Sequence, residues 1–266
     1  VMSESKYDDA KRLWWKEMLK SWLYIKRFSG ALVGGEVHAN YIESLGMPRN
    51  RVFTGYDVVD NNHFIKHSSF ARDNESSIRV ENPRIPKNPY FLIVTRLMPR
   101  KNLEPFLDAY SEYRDKVTGT PWDLVICGDG ELKNILLDLV SDYNLDKNVH
   151  FPGFISYREI GYWYGLAGAF VHPALKEQWG LVINEACASG APILCSETVG
   201  SSFDLVEEDV NGYLFDPKDI HEMSHCLIKM HQLEPSERVC MGDESRLIVS
   251  NYSPKVFAKS AISLCR

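Results

Sequence analysis

Along residues 90–195, short runs of almost unbroken apolar residues alternate with longer segments whose apolar positions recur every three or four residues. The runs at 90–94, 123–127, 149–151, 169–172 and 192–195 read as strands, and the segments at 102–116, 131–143, 157–166 and 179–188 read as helices. Strands with no alternating polar face are covered on both sides, the condition of a parallel sheet between two helical layers. The predicted fold class is therefore α/β, a Rossmann-like doubly wound parallel sheet. Upstream, a strand at 30–34, a helix at 38–45 and a strand at 51–54 give part of a second α/β domain.

Residues 7–28 bring Leu13, Trp14, Met18, Trp22 and Ile25 to helical spacing with lysines between them, the pattern of an amphipathic packing helix. Tryptophan mixed with lysine also suits a helix lying on a membrane surface, in peripheral contact with it. Between 57 and 89 the periodicity gives way to polar residues, with Pro83, Pro86 and Pro89 close together, and this stretch is the expected linker. The division that follows is the end of an N-terminal domain over 1–60, a linker over 61–89, the doubly wound domain over 90–250 and a C-terminal helix over 251–266.

Composition changes this picture little. The formal net charge of -6 includes no basic block, which argues against a nucleic-acid partner held by its phosphates. No apolar run approaches the roughly 20 residues that cross a bilayer, and no cleavable leader pattern opens the chain, so a soluble cytoplasmic protein is the expectation. Cys127, Cys187, Cys195, Cys226, Cys240 and Cys265 show no Cys-x-x-Cys spacing, and several sit inside apolar runs, as reduced thiols do.

The richest chemistry lies in Glu177-Gln178-Trp179-Gly180-Leu181-Val182-Ile183-Asn184-Glu185. A helix starting here exposes the amides of Gly180, Leu181 and Val182 at its N-terminus, where anions bind. Glu177 before that terminus and Glu185 two turns into the helix flank such an anion, each free to accept hydrogen bonds from hydroxyls, as a sugar nucleotide requires. A carboxylate pair also serves acid-base work in glycoside hydrolases. At a loop-helix junction opposite Arg96 and Lys101, the pair fits hydroxyl gripping better.

In an open doubly wound sheet, ligands bind beyond the carboxyl ends of the strands. Arg96, Gly128, Gly153, Pro173 and Ser196 all follow predicted strand ends closely and are expected along one edge. The loop from Thr95 to Asn102 holds Arg96, Arg100 and Lys101, of which Arg96 and Lys101 suit a diphosphate. By itself such a loop is simply solvated; its agreement with the Glu177 region reverses that judgement. Gly128-Asp129-Gly130-Glu131 permits close backbone approach or plain turn formation, and Gly153-Phe154-Ile155-Ser156 offers an N-cap at Ser156 or backbone contact to a base. His221 and His225, four apart with Cys226 and His231 near, form half of a zinc set, but the helix at 220–230 is otherwise an ordinary amphipathic one and the reading is surface histidines. The chain contains no Asp-x-Asp, so no metal clamp on a diphosphate is signalled.

Taken in order, Arg96 through Lys101, Gly128-Asp129-Gly130, Phe151-Pro152-Gly153-Phe154, His172-Pro173, the Glu177 to Glu185 run, Gly190-Ala191-Pro192 and Asn211 through Pro217 resemble the donor half of a retaining GT-B glycosyltransferase of family 4 (group 1). Gly55-Tyr56-Asp57-Val58-Val59-Asp60 is similar to the crossing from that family's acceptor half. The resemblance implies that Arg96 and Lys101 face the donor phosphates, Glu177 holds the transferred sugar, and Glu185 holds the ribose. It further implies backbone contact from Ile155 to the base and from Gly180, Leu181 and Val182 to the sugar-phosphate, with Gly128 and Gly130 lining the donor site. The implied reaction moves a hexose, with retention and without a metal or cofactor, from a nucleotide diphosphate sugar, a UDP-sugar first, to a glycan or lipid-linked acceptor. Thr95, Trp179 and Gly200-Ser201-Ser202 depart from the usual Gly, Phe and Gly-Gly, and most of the acceptor domain is missing from the pattern. The competing expectations are a noncatalytic nucleotide-sugar-binding fragment and an epimerase or phosphorylase of the same architecture; a phosphorylase needs a pyridoxal lysine context that the chain does not display.

Overall fold

The computed structural model describes residues 1–7, 12–23 and 25–264. A small parallel sheet orders β1 (Met2–Ser3), β2 (Ala31–Val33) and β3 (Val52–Phe53) side by side, with helix α1 (Trp14–Leu23) following β1 and α2 (Glu36–Ser44) following β2. Helices α3 (Asn61–Asp73) and α4 (Glu75–Glu81) lead into the larger sheet. Its strands are β4 (Tyr90–Val94), β5 (Asp123–Cys127), β6 (Val149–Gly153), β7 (Ala169–His172), β8 (Ile193–Ser196) and β9 (Gly212–Phe215), in the spatial order β6-β5-β4-β7-β8-β9 and parallel throughout. Between and after them run α5 (Leu103–Lys116), α6 (Lys133–Asp142), α7 (Tyr157–Leu166), α8 (Leu181–Ser189), α9 (Ser202–Leu205), α10 (Ile220–Gln232), α11 (Pro235–Val249) and α12 (Pro254–Leu264).

The chain winds outward from β4 to β6, then returns to the other side of β4 with β7, so strand order reverses between β4 and β7. Side-chain alternation sends Phe91 and Ile93 into one core, with α5 and α10, and Tyr90 and Leu92 into the other, with α7 and α8. Both faces are thereby covered, which explains why β4 and β5 read as continuous apolar runs.

Two expectations change. The polar stretch at 61–89 is not a plain linker, because α3 and α4 occupy most of it. Helix α3 buries Phe64, Ser68 and Ala71 and packs on α7 and α8. A Cβ on Gly161 of α7 would fall 2.6 Å from His67 Cβ, and one on Gly165 would fall 2.7 Å from the Ser68 carbonyl oxygen, so the helices meet backbone to backbone. Phe64 also packs on Tyr157 and Tyr164, but with Gly, Ser and His at the other contact positions no continuous apolar stripe forms, which is why periodicity missed it.

The packing face expected for 7–28 is likewise not buried. Residues 8–11 and 24 lie outside the described residues, α1 covers the middle, and a single 3₁₀ turn (Ile25–Arg27) buries Ile25. Leu13, Trp14, Met18 and Trp22 are exposed, Trp14 at 77%. The helix docks instead through its polar side: the Tyr41 hydroxyl donates to Glu17 at 2.7 Å and Lys20 Nζ donates to the same hydroxyl oxygen at 3.1 Å. Among the described residues no helix is long and apolar enough to cross a membrane. Cys127, Cys187, Cys195 and Cys226 are buried free thiols and Cys240 is an exposed one; Cys265 lies outside the described residues.

Candidate functional site

The strand reversal puts the β4–α5 and β7–α8 loops side by side at the carboxyl edge, where doubly wound sheets hold ligands. The first loop ends in a 3₁₀ turn (Pro99–Lys101), anchored by Asn102, whose amide donates to the Pro217 carbonyl at 2.6 Å. The second is clamped by the segment after β8: Gly200 N–H donates to the Glu177 carbonyl and Ser201 N–H to that of Trp179, each at 3.1 Å. The Trp179 indole is buried and donates to Asn184 at 2.8 Å, and the Asn184 amide donates to the Asp57 carbonyl at 3.2 Å. Gly180, at φ +98°, turns the chain into α8 in the left-handed region that favours glycine, and no side chain caps that helix. The α8 amides are therefore presented outward.

Two cavities adjoin here and share Arg100, Lys101 and Val182. The first, ≈ 480 Å³, is lined by Thr95, Arg96, Gly128 and Ile155 besides those three. The second, ≈ 360 Å³, adds Glu4, Asp57, Glu177, Trp179, Gly180 and Leu181. Of the residues singled out from sequence, Arg96, Gly128 and Ile155 thus lie in the first cavity, Glu177, Gly180 and Leu181 in the second, and Lys101 and Val182 in both. Gly130 and Glu185 line neither. A Cβ on Gly130 would stand 2.4 Å from the Leu97 carbonyl oxygen, so packing between two loops accounts for that glycine. Glu185 lies one helical turn beyond Val182 and accepts from the Tyr164 hydroxyl at 2.9 Å.

Electrostatics separates the carboxyls. Burial pushes Glu177 up, but His172 and a direct ion pair with Lys101 overcome it and hold the carboxyl at about 2. Arg100 adds a guanidinium at 3.6 Å. Glu177 therefore stays ionised at any ordinary pH. His172 Nε2 stands 3.8 Å from Glu177, beyond hydrogen-bond distance, and both its ring nitrogens are buried without a hydrogen-bond partner among the described residues. Burial lowers the His172 pKa and favours the neutral ring. Burial likewise lowers Lys101, with Glu177 acting against it. Glu185 behaves oppositely: burial raises it to about 7, only partly opposed by the Tyr164 hydrogen bond.

Sequence reasoning did not assign Arg100, Tyr164, Glu4 or Asp57 to the site. Arg100 was one cation among three, and Tyr164 sits in an apolar helical run. Asp57 lay where the pattern dissolved, and its arrival depends on the small sheet docking against the large one. Among the described residues, no group of three or more His, Cys, Asp or Glu converges as metal ligands would. His221 is exposed, with Nδ1 2.7 Å from Glu112.

Comparison with known proteins bears on this arrangement. Maize sucrose-phosphate synthase is 30% identical over 159 residues, a match covering 54% of this chain and 15% of that enzyme. The alpha-monoglucosyldiacylglycerol synthase of Acholeplasma laidlawii is 26% identical over 174 residues, covering 65% of this chain and 42% of its own length. Among solved structures, a Rickettsia africae glycosyltransferase superposes with a TM-score of 0.80 at 12% identity, covering 96% of this chain and 67% of the other. Anabaena HepE in complex with UDP and glucose superposes at 0.75 and 17% identity, covering 99% and 70%. These likenesses show the doubly wound GT-B fold. Residues 74–260 match the family described as glycosyl transferases group 1, well over half of the chain, and the protein belongs to that family.

Proposed function

We propose that this chain carries the donor site of a retaining, metal-independent hexosyltransferase of family 4, which takes a nucleotide diphosphate sugar, a UDP-sugar first, and passes the hexose to a glycan or lipid-linked acceptor. The observation that carries the reading is the pair of adjoining cavities at the strand reversal, joined through Arg100, Lys101 and Val182. The first offers Arg96, Arg100 and Lys101 to a diphosphate and the backbone around Ile155 to a base; the second offers Glu177 to sugar hydroxyls at the uncapped start of α8. Charge developing on the leaving nucleoside diphosphate falls between the three cations and the α8 amides, the arrangement that stabilises such charge electrostatically. A carboxyl held at about 2 is no proton donor, so Glu177 serves as hydrogen-bond acceptor and counter-ion. Glu185, one turn further, is assigned to the ribose. UDP and glucose bound to HepE favour the uridine donor, and the name of the diacylglycerol-directed relative favours a lipid-linked acceptor, for which the exposed tryptophan face of α1 gives a peripheral contact with the membrane of a cytoplasmic enzyme.

Calorimetric titration with UDP, UDP-glucose, GDP and ADP tests the donor site: UDP compounds bind, and Lys101→Ala and Glu185→Ala each weaken them by about tenfold or more. Binding by none of the nucleotides, or unchanged binding in both variants, sinks the reading. A second reading is a binder of nucleotide sugars without turnover. Release of UDP from UDP-glucose by this chain eliminates it.

A further inference from the structure

The second cavity contains a carboxyl that the donor reading does not use. Asp57 follows β3, is 6% exposed and lines the cavity, and its Oδ2 is buried without a hydrogen-bond partner among the described residues. Its place is fixed. Cβ on Gly34 would stand 2.7 Å from Asp57 Oδ2 and 2.8 Å from the Trp179 ring, so the carboxyl is wedged between the end of β2 and the indole. Glu4, which follows β1, lines the same wall. The carboxyl ends of the small sheet thus meet those of the large sheet here. They are pinned together by Lys6, whose ammonium donates to the Thr198 carbonyl, and by His38 Nε2, 3.0 Å from the Gln178 carbonyl oxygen.

A buried polar atom without a partner is costly unless a ligand or water supplies one. The charges lining this cavity are unevenly spread. Arg100 and Lys101 lie against Glu177, whereas Glu4 and Asp57 bring two carboxyls to the wall contributed by the small sheet. Burial, with Glu4 beside it, raises Asp57 to about 8, so near neutrality Asp57 retains its proton and can both donate to and accept from a hydroxyl.

We propose that Asp57 is a specificity-determining residue that hydrogen-bonds a hydroxyl of an uncharged polyol in the second cavity, and that the Glu4 carboxyl beside it turns away polyols carrying a phosphate. The assignment rests on the donor-site reading for its substrate class and goes beyond it in naming the residue and the charge it tolerates. The hydroxyl belongs either to the transferred hexose or to the acceptor.

The test is calorimetry on the full chain, with and without saturating UDP, using glucose, glycerol and glucose 6-phosphate as probes, and UDP-glucose against UDP as a separate arm. Glucose is expected to bind, with glucose 6-phosphate weaker by about tenfold or more. Asp57→Ala lowers polyol affinity by about tenfold, Asp57→Asn recovers most of it, and UDP affinity stays within about twofold in both. Combining Glu4→Gln with Asp57→Asn narrows the gap between glucose and its phosphate. If Asp57→Ala weakens UDP-glucose but not UDP, the hydroxyl is the transferred hexose's; if it weakens only the polyol added to the UDP complex, the hydroxyl is the acceptor's. Equal polyol affinity in wild type and Asp57→Ala, tighter binding of the phosphate ester than of glucose, or no polyol binding in either state overturns the proposal. Failure of UDP alone to bind overturns the donor reading instead.

Discussion

Glu177 and Glu185 are the same side chain in one loop-helix unit, yet their surroundings drive them to opposite ends of the carboxylate range. Glu177 is partly buried beside Lys101, Arg100 and His172 and is held at about 2. Glu185 is partly buried beside a single hydroxyl, Tyr164, and rises to about 7. Burial acts upward on both; the difference is whether cations answer it. The lesson concerns function as much as stability, because the ionised carboxylate can only accept hydrogen bonds, whereas the other can change its protonation near neutrality when a ligand arrives.

The pH consequences have opposite sign. Glu177 is depressed from 4.5, so its contribution is present above that value and is lost as pH falls toward 2. Glu185 is raised from 4.5, so the folded state binds the extra proton, and stability is lost as pH rises from 4.5 through about 7. The largest expected effect breaks the first half of the contrast. Lys101→Met leaves Glu177 buried without its closest cation and costs about 3–5 kcal/mol at pH 7, read as a shift in urea midpoint, with the acid limb of stability beginning at higher pH. An unchanged acid limb would show that Lys101 does not set the Glu177 ionisation.

Next in size, Glu185→Gln removes a carboxylate that is costly only when charged. Stability rises by up to about 3 kcal/mol at pH 8 and stays nearly unchanged at pH 4, so melting temperatures at the two pH values diverge. Equal shifts at both would mean that packing, not charge, governs the site. Smaller again is Glu177→Gln, which keeps the shape and removes the counter-ion. UDP-glucose is expected to lose about tenfold of its advantage over UDP, measured by calorimetry, while UDP itself holds or gains because Lys101 and Arg100 are released to the phosphates.

The two glutamates also mark where sequence reasoning reached and where it stopped. Their placement around the start of α8 was legible because Gly180 and the apolar run after it announce a helix start in any context. The β4–α5 cations were legible for a similar reason, since they directly follow an unmistakable strand. What separates the carboxyls was not legible: Tyr164 reaches Glu185 from α7, and Asp57 reaches the cavity from the far side of the small sheet. Both are products of helix and sheet docking over long sequence separations. Helix α3 escaped for the complementary reason, since its contact with α7 mixes the close approach of Gly161, Gly165 and Ser68 with scattered ring contacts such as Phe64 against Tyr164, and forms no continuous apolar stripe.

The smallest predicted effect sharpens the comparison by separating two cations that sequence treats alike. Arg100 and Lys101 are adjacent and both reach Glu177, but the Arg100 side chain is 48% exposed and 3.6 Å away, whereas Lys101 is 10% exposed and in direct contact. Water screens the first pair and repays most of its loss, so Arg100→Ala is expected to change stability by less than about 1 kcal/mol. The same substitution still removes a charge from the wall shared by the two cavities, and UDP affinity falls by several-fold, more at low salt than at high salt. Urea unfolding and calorimetry on the one variant therefore dissociate. If Arg100→Ala instead destabilises the chain as much as Lys101→Met, exposure does not decide which cation anchors Glu177, and the burial argument that divides Glu177 from Glu185 falls with it.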